Sequence, residues 1–205
     1  MIDFSIIIPH FNTAILLKRL LESISIGEDT EVIVVDDNST KMLEEYEKLK
    51  YRYEALGVKF FENDTGKNGA GICRNIGLKN ALGKWIIFAD SDDYFTSDFR
   101  RIITENKDRT EDVIFYYPTS VDSDTGVISD RHTEFVFMLD AYRNNPDRGN
   151  ELKLRFSLVA PWAKMIKRSL INENSIDFED SKVANDVLFC RKLGVFAKKI
   201  AVGKR

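Results

Sequence analysis

The stretch KWIIFADSDDYF, residues 84–95, carries five apolar residues, Trp85 to Ala89, straight into Asp90, Ser91, Asp92 and Asp93. A short apolar run bounded by polar residues reads as a buried strand, and side chains alternate faces along an extended chain. On that alternation Asp90 and Asp92 share one face, while Ser91 and Asp93 take the other. Two carboxylates on one side of a strand end repel each other unless a cation sits between them. A hard divalent ion with oxygen ligands, Mg²⁺ or Mn²⁺, suits such a pair and keeps open positions for a substrate phosphate. The plainer alternative is a solvated loop whose acids cap a helix beginning near Thr96 or Ser97. Position favours the ion, because ligands in open α/β sheets bind beyond the carboxyl ends of strands.

A second acidic pair, Asp36-Asp37, follows the apolar run Glu31 to Val35. A carboxylate there can accept from a base N–H or a ribose hydroxyl, or it can cap the next helix through the D-N-S-T turn; the ligand role is favoured for Asp37. Pro9 closes the run Ser5 to Pro9 and has no N–H, so the carbonyls of His10 and Phe11 could face a ligand. His10 and His132 are read as packing or surface residues. The segment Gly69-Ala70-Gly71-Ile72-Cys73-Arg74 fails as a dinucleotide fingerprint, since Arg74 stands where a third glycine belongs and the segment follows the third strand. Its glycines instead let the backbone approach a ligand, and Arg74 at a helix start is offered to a phosphate or to the acids. Asp186, in Asn185-Asp186, opens a helix, where an acid complements the dipole or serves as a base for an acceptor hydroxyl. Trp162 and Lys164 in APWAKMIK could frame an acceptor pocket or simply pack in the core.

These residues need a scaffold. Strands are expected at Ser5 to Pro9, Glu31 to Val35, Val58 to Glu62 and Trp85 to Ala89, with helices from Asn12 or Thr13, from about Lys41 to Leu56, and from about Ile72 to Leu82. Alternating strand and helix predicts a mostly parallel sheet wrapped by helices over residues 1–95. Beyond it come a strand at Asp112 to Tyr117, a turn at Asp124-Thr125-Gly126 joining two antiparallel strands, a helix near Phe135 to Tyr142, the stretch Ala160 to Lys167 and a helix Ala184 to Leu193.

The 205 residues are 43% hydrophobic, enough for one domain with a sizeable core. With 30 Lys and Arg against 33 Asp and Glu, the net charge of −3 gives no overall attraction to nucleic acid. No apolar run reaches the roughly 18 to 20 residues of a membrane span, and the start, MIDFSIIIPHFN, lacks a basic leader; a soluble, cytoplasmic protein is expected. Cys73 and Cys190 are expected to be reduced thiols.

Taken together, SIIIPHFN (5–12), VIVVDDNST (32–40), GAGICRNIGLKNALGKWIIFADSDD (69–93), APWAKMIKRSL (160–170) and NDVLFCRKL (185–193) resemble the family 2 glycosyltransferases in order and spacing. The resemblance implies a GT-A fold and inverting transfer of a sugar from a nucleoside diphosphate donor, a UDP-sugar foremost, to an acceptor hydroxyl. It further implies that Pro9, Phe11 and Asp37 line the nucleoside pocket and that Arg74, Asp90 and Ser91 serve the nucleotide-sugar side. Asp92 would be the direct ligand of Mg²⁺ or Mn²⁺, with Asp90 its partner, and Asp186 the general base. Trp162 and Lys164 would meet a saccharide or lipid-linked saccharide acceptor, in surface polysaccharide synthesis at the inner face of the membrane. Residues 1–95 would form the nucleotide-binding half and 96–205 the acceptor half of a single domain, expected to be truncated at Arg205. The chain departs from the pattern at Asn38 for Gly, Lys41 for an acid and Asn185 for Glu. Competing readings are a sugar-nucleotide-binding domain without turnover and a sugar-1-phosphate nucleotidyltransferase, which would want a Gly-rich basic loop where Pro9-His10-Phe11-Asn12 stands.

Overall fold

Runs rich in Ile and Val set the centre of the molecule, in a computed structural model that describes residues 1–123, 125–181 and 184–204. The first strand, β1 (Phe4–His10), is buried along its whole length and leads to α1 (Ala14–Glu22). Then come β2 (Thr30–Asp36), α2 (Leu43–Glu54), β3 (Lys59–Glu62), α3 (Ala70–Asn80), β4 (Trp85–Phe88) and α4 (Phe99–Asn106). The rest comprises β5 (Val113–Phe115), α5 (Thr133–Asn144), α6 (Arg148–Ser157), a 3₁₀ turn at Pro161–Ala163, β6 (Lys164–Lys167), α7 (Arg168–Glu173), α8 (Asn185–Phe196) and β7 (Ile200–Val202).

One seven-stranded sheet has the order β3-β2-β1-β4-β6-β5-β7, with β6 alone antiparallel to its neighbours β4 and β5. The expected mostly parallel sheet is therefore present, and it runs on unbroken through strands contributed from beyond residue 95. Period-two alternation divides its faces. Phe4, Ile6, Ile8, Val32, Val34, Trp85 and Ile87 pack with α1 and α2, whereas Ile7, Ile33, Val35, Ile86 and Phe88 pack with α3, α5, α6 and α8. Gly77 on α3 lies so close to β1 that a Cβ there would sit 2.3 Å from the Ile7 methyl, so α3 can press directly onto the sheet.

Several expected elements differ in extent. Helix α3 starts two residues earlier than expected, from Gly69 at φ 130°, a left-handed value that glycine adopts without strain. Neither Asn12 nor Thr13 caps α1 through its side chain; Asn12 is itself left-handed at φ 57° and accepts from the N–H groups of Thr40 and Lys41. The expected hairpin leaves an antiparallel bridge between Val121 and Ile128, while Asp124 of its turn lies outside the described residues. Helices α6 and α7 and strand β7 had no counterpart in the sequence reading. Among the described residues no helix is long and apolar enough to cross a membrane.

Candidate functional site

Strands β1, β2 and β4 end side by side, and the chain order reverses across β1: it steps outward to β2 and β3, then returns to β4 on the other flank. Such a switch point leaves a crevice beyond the carboxyl ends of the strands. Here that crevice is a cleft of about 290 Å³ lined by Pro9, His10, Phe11, Thr13, Asp37, Ala70, Cys73, Arg74, Asp90, Ser91 and Asp92. Seven of the residues singled out in the sequence, Pro9, Phe11, Asp37, Arg74, Asp90, Ser91 and Asp92, are thus gathered at one place. Asp186, Trp162 and Lys164 are not part of that lining.

The two acids at the end of β2 have separate duties. Asp36 accepts from the Ser39 N–H at 2.8 Å, from the Ser39 hydroxyl at 2.6 Å and from His10 Nδ1 at 2.7 Å, so it fastens the turn. Burial would raise its carboxyl, but the bonds from His10 and Ser39 outweigh that and hold it below the ordinary range. His10 Nε2 accepts from the Thr13 N–H, which leaves Nδ1 to carry the proton towards Asp36. His10 is accordingly a buried strut, stacked on Tyr46 with ring centroids 4.8 Å apart. The His10 carbonyl, expected to face a ligand, accepts from the Asp37 N–H instead.

Asp37 reaches the cleft. Its Oδ1 accepts from Asn63 Nδ2 at 2.6 Å and its Oδ2 from the Gly69 N–H at 2.7 Å, so it holds both ends of the 63–69 loop. Each carboxylate oxygen keeps a further lone pair for a ligand donor. Asn63, buried and also donating to Lys67 O, is a site residue that sequence reasoning missed; its only signal was a loop rich in Gly, Asn and Asp. Pro9 lies two residues beyond Ile7, the last β1 residue paired with β4, so its missing N–H leaves no gap in that ladder. The Phe11 ring is 52% exposed and is free to lie against a planar group.

The acid loop corrects the strand-alternation expectation. Strand β4 ends at Phe88, and a turn closed by the Asp93 N–H on the Asp90 carbonyl follows, so the pleat no longer sorts the acids onto two faces. Asp93, expected to point away, has its carboxyl pushed up to about 6, first by partial desolvation and then by the charges of Asp90 and Asp92. The cation already present is Arg74: its guanidinium meets Asp90 Oδ1 at 2.5 Å, and its other terminal nitrogen donates to Asn185 Oδ1 at 3.1 Å. Of the two partners expected for Arg74, a phosphate or the acids, the structure gives it an acid. Asp92 is exposed, and Arg19 donates to its backbone carbonyl. Ser91 Oγ is 3.0 Å from Thr13 Oγ1, which ties the loop to the start of α1.

Gly71 also departs from expectation. Its close approach is to protein, since a Cβ there would lie 2.9 Å from the Glu179 carbonyl. Asp186 is half-buried in the first turn of α8, next to the Asn185 that Arg74 holds. Trp162 is half-buried and packs edge-on against Phe135 at 5.8 Å. Lys164 does not reach a surface pocket: it is 2% exposed, and its ammonium donates to the carbonyls of Leu158 and Ala160 at 2.7 and 2.6 Å. Burial pulls its ammonium below the usual lysine range. No group of three or more metal-binding side chains converges among the described residues. Mg²⁺ is commonly held by one or two carboxylates together with substrate phosphates, and the open Asp92 beside Asp90 and Asp93 fits that mode.

A family description, Glycosyl transferase family 2, matches residues 5–174. Over 98% of its length the chain is 27% identical to the poly(ribitol-phosphate) beta-N-acetylglucosaminyltransferase TarS of Staphylococcus aureus, spanning 34% of that protein. Over 97% it is 32% identical to the poly(ribitol-phosphate) beta-glucosyltransferase of Bacillus spizizenii, spanning 30% of it. The crystal structure of S. aureus TarS 1-349 in complex with UDP-GlcNAc superposes with a TM-score of 0.74 at 26% identity, over 98% of this chain and 56% of that one. The sheet and its helices thus have the GT-A arrangement, and the chain spans about a third of the length of these curated relatives.

Proposed function

Because the chain belongs to glycosyl transferase family 2, we propose that it acts in an inverting, cation-assisted transfer of a sugar from a UDP-sugar to an acceptor hydroxyl. The observation that carries this reading is the cleft beyond β1, β2 and β4, where Asp37, Asp90 and Asp92 stand around one opening. Phe11 offers its ring to the base, Pro9 walls the pocket, and Asp37 accepts from the base or the ribose. Asp92, with Asp90 and Ser91 beside it, would hold Mg²⁺ or Mn²⁺ on the diphosphate. Bound there, the ion would supply positive charge to the leaving phosphate oxygens without proton transfer. Asp186 takes the proton of the acceptor hydroxyl as that oxygen attacks from the far side of the sugar, which inverts the anomeric carbon.

The UDP-GlcNAc complex of TarS and the poly(ribitol-phosphate) in its relatives' names support a uridine donor and a cell-surface polymer as acceptor. In this reading residues 1–95 supply most of the donor side, whereas α8 and the half-buried Trp162 serve the acceptor side. Work at the inner face of the membrane remains part of the proposal. The test is release of UDP from UDP-GlcNAc and UDP-glucose with Mn²⁺, with and without a ribitol-phosphate polymer. Turnover that disappears with Asp92→Ala and falls about 10²- to 10⁴-fold with Asp186→Asn supports the reading. Tight UDP binding with no release from either donor would make the chain a binding module.

A further inference from the structure

Helix α3 is bound to the segment before α8 more closely than packing alone requires. Asn75 exchanges two hydrogen bonds with the Phe178 backbone, donating to its carbonyl and accepting from its N–H, each at 2.9 Å. The Phe178 ring in turn stacks on Phe189 of α8, with centroids 3.9 Å apart. One turn earlier, Gly71 leaves just enough room for Glu179 and Asn185. Arg74 stands between these contacts and the acid loop, spanning from Asn185 at the first turn of α8 to Asp90 after β4.

Arg74 is 5% exposed, and its Nε is buried without a hydrogen-bond partner. Burying a guanidinium and stranding one of its donors costs free energy that an apolar side chain would avoid. The return is geometric: a planar fork of fixed shape bridges two elements, as a flexible ammonium cannot. Asn185 accepts from this fork without adding charge, so the positive charge of Arg74 is matched by Asp90.

We infer that Arg74 is a positioning residue that locks the first turn of α8, and with it Asp186, to the acid loop. This rests on the functional reading above, in which the acceptor oxygen, its proton taken by Asp186, attacks from the side opposite the diphosphate. In-line transfer needs those two sides held in one alignment, and a displacement of about 1 Å at a reacting centre can cost about 10²-fold in rate. Arg74 supplies the alignment through protein contacts, leaving Asp92 to face the diphosphate.

The test compares the full chain with Arg74→Lys, Asn185→Ala and Asp90→Asn. Three quantities are read: UDP affinity by calorimetry with Mn²⁺, kcat and KM for hydrolysis of UDP-GlcNAc, and amide hydrogen exchange over residues 184–190. Arg74→Lys and Asn185→Ala should lower kcat about 10²-fold while leaving UDP affinity within about threefold, the split expected when alignment and not donor binding is lost. Exchange at 184–190 should quicken in all three variants. Asp90→Asn is the decisive one, because it alters the far end of the strut. Should Arg74→Lys fold poorly, Asn185→Ala still breaks the strut with Arg74 in place. An unchanged exchange pattern at 184–190 in Asp90→Asn and Asn185→Ala overturns the inference, as does a rise in KM with kcat unaltered, which would make Arg74 a donor ligand. If the parent chain releases no UDP yet exchange responds as described, the functional reading fails and the strut stands.

Discussion

The three acids after β4 differ in their surroundings, and so in what each can do. Asp90 is held by Arg74, Asp92 is open, and Asp93 shares the loop with both charges. For Asp93 the sign of the pH effect follows from the direction of its shift. Partial desolvation and the charges of Asp90 and Asp92 push its carboxyl up from the ordinary 3.8 to about 6 in the folded chain, so the ionised form destabilises the fold above pH 6. That cost fades as pH falls through 6 and is gone below 3.8. Asp93→Asn should therefore raise the melting temperature at neutral pH and give no gain in acid, which thermal melts at the two pH values will read. A gain that persists in acid would point to packing instead of charge. The residue types of this loop were legible in the sequence; their partners were not, because Arg74 lies 16 residues away from Asp90 and Asn185 lies 111 away from Arg74.

Elements are joined here by buried polar groups that hydrophobic periodicity does not register. Glu31 in β2 is 5% exposed and accepts from Ser5 Oγ at 2.5 Å, Lys59 Nζ at 2.7 Å and the Leu82 N–H at 2.6 Å, linking three neighbouring strands to the turn before β4. Burial would raise this carboxyl, but the bonds from Lys59, Ser5 and Leu82 outweigh it and leave it below 4.5. Its contribution is therefore present above pH 4.5 and is lost as pH falls through the lowered folded value. Glu31→Gln should cost about 1 to 2 kcal/mol in neutral solution and nothing in strong acid, as measured by urea denaturation. Lys164 plays a like part between β6 and the segment that follows α6, so Lys164→Ala, which strands two carbonyls and opens a cavity, should cost about 3 kcal/mol. Helix α6 shows why sequence reading failed in this region. Its inner face uses Arg155, which donates to the carbonyls of Gly194 and Ala197, so the buried side carries a charge where an apolar stripe was sought. Strands β1, β2 and β4 were legible for the opposite reason, each being built on a continuous apolar run closed by turn residues.

At the scale of the whole molecule, the place of the site was more legible than its full membership. Alternating strands and helices put the acid pairs at strand ends, and the reversal across β1 makes those ends a cleft, so Asp37 and Asp90 meet although they are far apart in sequence. In the proposed function the acceptor side depends on α8, whose placement is set by Arg74, Asn75 and Lys164 through contacts of high sequence separation, and no local pattern announces them. The cleft nevertheless belongs to the sheet, so a ligand that fills it must stabilise the entire fold. At 100 times its dissociation constant a ligand selective for the folded state contributes about 2.7 kcal/mol, which for a chain of this size is about 5 to 10 °C in melting temperature. A thermal-shift series with Mn²⁺ should give that rise for UDP, a smaller one for ADP, and little for UDP with Asp92→Ala. Equal shifts for all nucleotides would show that the diphosphate alone is recognised, and would remove Phe11 and Asp37 from the role of reading the base.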